Sequence, residues 1–208
     1  IGEVWEDASN KESYGVKRRY LLGDQLDSVM NYPFRSAIMN YVLGGSPFDF
    51  KNSIMTILEN YPKPSVDVLM NSISTHDIER AINILGDESC EGKSKDWMCS
   101  HWLTNEEFEL GRNRLKCAMA LQYFLPGVPC IYYGDEAGQQ GYKDPFNRRC
   151  YPWGKEDTQL IEYTKLLAKV RNSSKVFADG ALKFLYIDDN VISFARMKTP
   201  SESRNYFY

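Results

Sequence analysis

No apolar stretch in this sequence reaches the roughly 18 consecutive residues that a helix needs to cross a bilayer. No block of lysine and arginine stands out, and the formal net charge is −3. Both points argue against nucleic acid or a membrane as a partner. The five cysteines (Cys90, Cys99, Cys117, Cys130 and Cys150) are odd in number and fit no zinc-binding spacing. Cys117 and Cys130 lie in apolar segments and are expected to be buried thiols. Cys90 and Cys99 flank a polar loop and could pair, but a reduced, cytoplasmic protein is the expectation. No leader segment is visible, and Ile1 rather than methionine opens the chain. The chain is therefore expected to be part of something longer, and a secretion signal upstream stays open. Internal repeats and low-complexity segments are absent.

What is present suits a globular protein: 43% hydrophobic and 25% charged residues over 208 positions, enough for one domain and part of a second. Aromatics reach 13%, with 14 tyrosines and 4 tryptophans. Such rings stack on sugars, but filling a core is their commoner use.

Strand-like and helix-like segments alternate. Residues 26–30 (LDSVM) form a short apolar run, after which Phe34, Ile38, Tyr41 and Val42 share one helical face up to Gly44 and Gly45. Asp49 is placed to cap a second helix bearing Ile54, Ile57, Leu58 and Tyr61, which Pro62 and Pro64 break. Residues 66–70 (VDVLM) are expected to be a strand, followed by a short helix around Ile78, Ile82 and Leu85 ending at Gly86. Residues 87–103 look polar and irregular. Thr104 and Glu107 form a capping box opening a long helix through Phe108, Leu115 and Met119 to about Phe124. Residues 128–133 (VPCIYY) are expected to be a buried strand, then a glycine-bearing loop over 134–154 and a helix marked by Leu160, Tyr163, Leu167 and Val170. Residues 182–187 and 191–196 bracket Asp188, Asp189 and Asn190 as a β-hairpin. Alternating strands and helices imply parallel βαβ units, an α/β class.

Three clusters fall just after expected strands: residues 2–8 (GEVWEDA), residues 74–80 (STHDIER), and residues 127–136 (GVPCIYYGDE) with Asp144, Pro145, Phe146, Asn147 and Arg148 behind. In a (β/α)₈ barrel, catalytic groups sit at those strand ends. Each cluster alone also has a bland explanation: a helix cap, a structural His–Asp hydrogen bond, or a turn at Asp144–Pro145.

Together, in this order, the blocks resemble the α-amylase family, glycoside hydrolase family 13. Residues 2–8 resemble the block after the fifth barrel strand, and residues 24–33 (DQLDSVMNYP) the sixth-strand region of neopullulanases and cyclomaltodextrinases. Residues 71–80 (NSISTHDIER) resemble the seventh-strand block and residues 125–136 the eighth. The resemblance implies a partial TIM barrel, from the end of strand five through helix eight, over residues 1–177. The first strands of an all-β C-terminal domain are then expected over residues 178–208.

The resemblance also implies roles. Glu3 would be the general acid/base and Asp77 the carboxylate that supports the oxocarbenium-like transition state. His76 would bind a sugar hydroxyl beside the scissile bond, Asp144 and Arg148 would grip a glucose further toward the non-reducing end, and Trp5 would pack near the leaving-group sugar. In a retaining enzyme the acid and nucleophile carboxyls lie about 5–5.5 Å apart. A neighbouring carboxylate would raise the acid's pKa toward neutrality. The family's nucleophile is an Asp after strand four, and no residue of this chain matches that block, so the chain alone is expected to be inactive. Glu6 stands where neopullulanases often carry His. The implied substrate is an α-1,4-linked (or also α-1,6-linked) glucan: maltodextrin, cyclodextrin or pullulan. No cofactor is required, and calcium in the parent enzyme stays open without support from this sequence, since the family's calcium ligands come largely from other segments. Open barrel edges lead one to expect self-association. The alternative is a non-catalytic relative that serves as a carbohydrate-binding or scaffold protein; the presence of both Glu3 and Asp77 weighs against it.

Overall fold

The computed structural model describes residues 1–86 and 89–198. Strand β1 (Glu12–Ser13) pairs antiparallel with β2 (Val16–Lys17). The turn between them has positive φ at both Tyr14 (55°) and Gly15 (71°), the backbone sense that suits a two-residue hairpin.

Helix α1 (Tyr32–Val42) starts at Asn31, whose side chain accepts from the Phe34 amide, and stops before Gly44. Helix α2 (Pro47–Asn60) is capped by Ser46, not Asp49: the Asp49 amide donates to Ser46 Oγ at 3.4 Å. Pro47 at the first helical position explains the shift, because its φ is already helical and it has no N–H to satisfy. Helix α3 (Lys63–Asp67) occupies the start of the segment expected to be a strand. Pro62 and Pro64 do not merely end α2; they open this new turn and draw Val66 into it. The strand shrinks to β3 (Met70–Asn71). Ile78 likewise stands outside its expected helix, which is only α4 (Ala81–Leu85). Residues 95–100, expected to be irregular, form α5 (Lys95–Ser100), started by Ser94. Asp87 and Glu88 of that stretch lie outside the described residues.

Helix α6 (Asn105–Phe124) begins with the anticipated reciprocal box: Glu107 N donates to Thr104 Oγ1 at 3.2 Å, and Thr104 N to Glu107 Oε2 at 2.7 Å. Its inward stripe includes Leu115, Ala118, Met119 and Gln122, which turns Cys117 outward; the thiol is exposed and not buried. Strand β4 (Val128–Pro129) is much shorter than expected, and Val128 keeps 48% of its surface exposed. Among the described residues β4 has a neighbour on one side only, so the expected burial is incomplete; Cys130 is only partly buried. Helix α7 (Thr158–Asn172), capped by Asp157, and the short α8 (Val176–Asp179) lead to the hairpin of β5 (Ala181–Ile187) and β6 (Ile192–Met197). Residues 199–208 of the expected terminal domain lie outside the described residues.

Four short strand segments run parallel and side by side in chain order. Gly2 bridges Val29, Met30 bridges Met70, and Met70 and Asn71 pair with Val128 and Pro129. Backbone hydrogen bonds stitch them: Gly2 N to Ser28 O at 2.9 Å, Met30 N to Gly2 O at 2.9 Å, Asn31 N to Met70 O at 2.9 Å and Val128 N to Leu69 O at 2.7 Å. Gly127, with φ of 107°, lets the last segment come this close; a Cβ there would stand 2.7 Å from Leu69 O. Behind the segments lies one apolar core that includes Ile38, Ile54, Leu69, Ile82, Leu115, Met119 and Leu160. The hairpin packs on this core: Phe184 meets the Phe50 ring edge-on at 6.4 Å, and Arg196 donates to Phe124 O at 3.1 Å. No helix among the described residues is long and apolar enough to cross a membrane.

Candidate active site

The carboxyl ends of these parallel segments carry the residues singled out above. Glu3 directly follows the Gly2 bridge and is exposed. The chain after it is anchored firmly. Val4 and Ala8 are buried, Ala8 N donates to Tyr61 Oη at 2.7 Å, and Asp7 accepts from Asn60 Nδ2 at 2.7 Å. Trp5 stacks on Tyr32 with ring centroids 4.0 Å apart and planes 11° from parallel, yet stays 48% exposed. Glu6 is occupied by Lys11 at 2.8 Å.

His76 and Asp77 follow β3 through a buried run, Ser72 to Thr75. His76 Nε2 lies 3.2 Å from Asp77 Oδ2. Tyr32 connects the two sides: its hydroxyl is 3.4 Å from Thr75 Oγ1. Burial pushes the Tyr32 phenol up, the Thr75 bond opposes this, and the Glu3 and Asp77 charges add to the rise. Both carboxylates thus act on the same ring.

Arg148 gathers the remaining candidates. Its Nε is 2.6 Å from Asp144 Oδ1 and 3.1 Å from His76 O, and its Nη2 is 3.6 Å from Asp77 Oδ1. His76, Asp77, Asp144 and Arg148 are therefore one contiguous cluster, and Trp5 reaches its border by stacking on Tyr32, whose hydroxyl meets Thr75. The groups gathered here are carboxyl groups, an imidazole and a guanidinium, with flat aromatic surface alongside. No group of metal-ligating side chains is assembled among the described residues.

Tyr32, Arg80, Asp135 and Asn147 lay within the sequence blocks without an assigned role. Arg80 is fully buried, and its guanidinium lies 4.1 Å from the Tyr132 ring and 4.6 Å from the Tyr133 ring. It donates to the Tyr133 carbonyl and to Asp135 Oδ1, the latter at 3.2 Å. A buried arginine beside aromatic and acidic residues gives no periodic signal, so only the assembled fold reveals this core of charge.

Burial pushes the Asp135 carboxyl up to about 6 from 3.8, with Arg80 and Ser74 pulling it back. A raised folded-state value means that this group contributes most to stability below about pH 4 and loses that contribution as pH rises through about 6. Relative to Asp135→Asn, the unaltered protein should therefore lose on the order of 3 kcal/mol between pH 3 and pH 8. Urea unfolding of both proteins across that range tests it; a pH-independent difference would contradict the assignment.

A family model described as "Alpha amylase, catalytic domain" matches residues 1–175. The chain is 38% identical to an amylopullulanase of Thermoanaerobacter thermohydrosulfuricus, an alignment covering 94% of this chain and 13% of that protein. It is 30% identical to a cyclomaltodextrinase of Geobacillus thermopakistaniensis, covering 96% of this chain and 29% of the relative. A solved cyclomaltodextrinase structure superposes with a TM-score of 0.73 at 27% identity, over 95% of this chain and 29% of that one. The chain thus spans less than a third of the length of each.

Proposed function

Since the chain belongs to the α-amylase catalytic-domain family, we propose that it is part of a retaining glycoside hydrolase that cleaves α-1,4-glucosidic bonds (or also α-1,6 bonds) in maltodextrins, cyclodextrins or pullulan. Residues 1–177 are the C-terminal part of its barrel, and the following β-domain begins at residue 178. The single observation that carries the assignment is the cluster at the strand ends: Asp77 held 3.6 Å from Arg148 and 3.2 Å from His76, with Asp144 2.6 Å from the same arginine.

Glu3 donates the proton to the departing glycosidic oxygen. Asp77 faces the sugar ring as positive charge develops on it, a stabilisation that counts most in the transition state. His76 hydrogen-bonds a hydroxyl of the sugar at the cleaved bond. Asp144 and Arg148 hold a glucose unit further toward the non-reducing end, and the free face of Trp5 supports the leaving-group sugar. The names of the relatives, amylopullulanase and cyclomaltodextrinase, support an α-glucan as the substrate class.

Two substitutions in the full-length parent test this division of labour. Asp77→Asn should lower kcat on maltodextrin by about 10²–10³-fold, since it removes a charge aimed at the transition state. Arg148→Ala should raise KM, because it grips a remote sugar, and should lower kcat by less than Asp77→Asn does, through its contact with Asp77. Steady-state kinetics with the opposite pattern would refute the roles.

A further inference from the structure

We propose that Asn147 is a positioning residue that locks the loop bearing Asp144 and Arg148 to the loop bearing His76 and Asp77, so that grip on the remote glucose is felt at the bond being cleaved. The proposal rests on the roles assigned above to those four side chains.

Asn147 is fully buried. Its side-chain amide has two hydrogens and two close acceptors: His76 O at 2.8 Å and Ile78 O at 2.7 Å, with Thr75 O a longer neighbour at 3.4 Å. These carbonyls bracket the peptide that carries His76 and Asp77. The backbone carbonyl of Asn147 in turn accepts from Arg80 Nε at 2.8 Å, and Arg80 is itself fully buried. The loop is held at a second point, where Arg80 N donates to Gly141 O at 2.9 Å and Gly141 N to Asn83 Oδ1 at 2.8 Å. Gly141 also lies directly against Asn147: a Cβ there would come within 2.8 Å of the Asn147 Cα and 2.4 Å of Phe146 O.

Arg148 and Asp144 belong to the same turn as Asn147. That turn cannot slide or rotate without breaking the Asn147 amide bonds or dragging residues 75–78 with it. Buried polar groups are costly to leave unpaired, so the two loops move together. A sugar seated against Asp144 and Arg148 then fixes the position of Asp77 as well, and remote binding energy is converted into turnover and not only into affinity.

The test uses the full-length parent and two chromogenic substrates with the same leaving group, an α-glucoside and an α-maltoside, because Arg148 lies directly against His76 and Asp77 and so meets the glucose next to the one at the cleaved bond. In the wild type the second glucose should raise kcat. In Asn147→Ala that gain should vanish: kcat on the longer substrate falls by about 10- to 10²-fold, and on the shorter one far less. A merely structural role would lower both equally and leave their ratio unchanged, which would overturn the proposal, as would a wild type whose kcat does not depend on the second glucose. If Asn147→Ala does not fold, Asn147→Ser is measured in its place. Its hydroxyl can serve one carbonyl, so the ratio should fall part of the way, and an unchanged ratio is again fatal. Amide exchange in the full-length protein gives a readout free of catalysis. In the variant, residues 74–80 and 142–148 should loosen together; loosening of 142–148 alone would refute the lock. Absence of any α-glucoside hydrolysis by the parent would instead count against the proposed function, and the exchange experiment would still judge the lock.

Discussion

Glu3→Gln in the full-length parent should lower turnover of maltodextrin by about 10²–10⁴-fold, the range that general-acid catalysis supplies. Glutamine keeps the shape of the side chain and cannot deliver the proton. The fold should tolerate the change, because Glu3 is exposed and the segment is held by its neighbours: Val4 and Ala8 are buried, and Tyr61 and Asn60 bind the backbone of Ala8 and the carboxylate of Asp7. An unchanged melting temperature would therefore accompany the loss. Glycosides whose leaving group needs no protonation should lose far less in the bond-breaking step, so the penalty should grow with the pKa of the leaving group. Near wild-type cleavage of an unactivated glucan by the variant would remove Glu3 from the role of acid.

The 208 residues produced alone should hydrolyse no maltodextrin at all. A retaining mechanism needs a carboxylate to attack the anomeric carbon, and none of these residues matches the family block that supplies it. The four parallel segments also leave two edges without partners among the described residues, at Gly2 and at β4. A barrel is closed by eight strands. Open edges present unpaired N–H and C=O groups, and exposed apolar side chains such as Val128 and Tyr133 lie beside one of them. The isolated chain should therefore self-associate. Light scattering that finds a monomer, together with measurable hydrolysis, would refute the argument on both counts.

Some of this molecule was legible from local chemistry. The Thr104–Glu107 box, the glycine stop after α1 and the terminal hairpin all stand where the residue pattern placed them, as do Leu115 and Met119 on the inward face of α6, though not Cys117. Other elements were misjudged where two local signals competed. Asp49 and Ser46 both suit a helix start, and Pro47 decided between them. Residues 66–70 have the composition of a strand, yet the prolines before them open a helical turn that takes Val66 and Asp67. The strand residues 128–133 read as buried from their apolar character, but burial depends on what lies alongside, and β4 has a neighbour on one side only among the described residues.

The sequence by itself determined which chemistry is present and in what order: a Glu after one strand, a His–Asp pair after another, an Asp and an Arg four residues apart beyond a third. Caps, turns and helical stripes are decided by residues within a few positions of one another, so they are written into the order of the chain. Only the tertiary structure decided that Arg148 reaches Asp77, that Tyr32 joins Trp5 to Thr75, and that Asn147 and Arg80 bind the two loops into one piece. Those contacts join residues tens of positions apart. A hydrogen bond between them has no local signature, because its partners become neighbours only after the parallel segments have paired and the core behind them has closed.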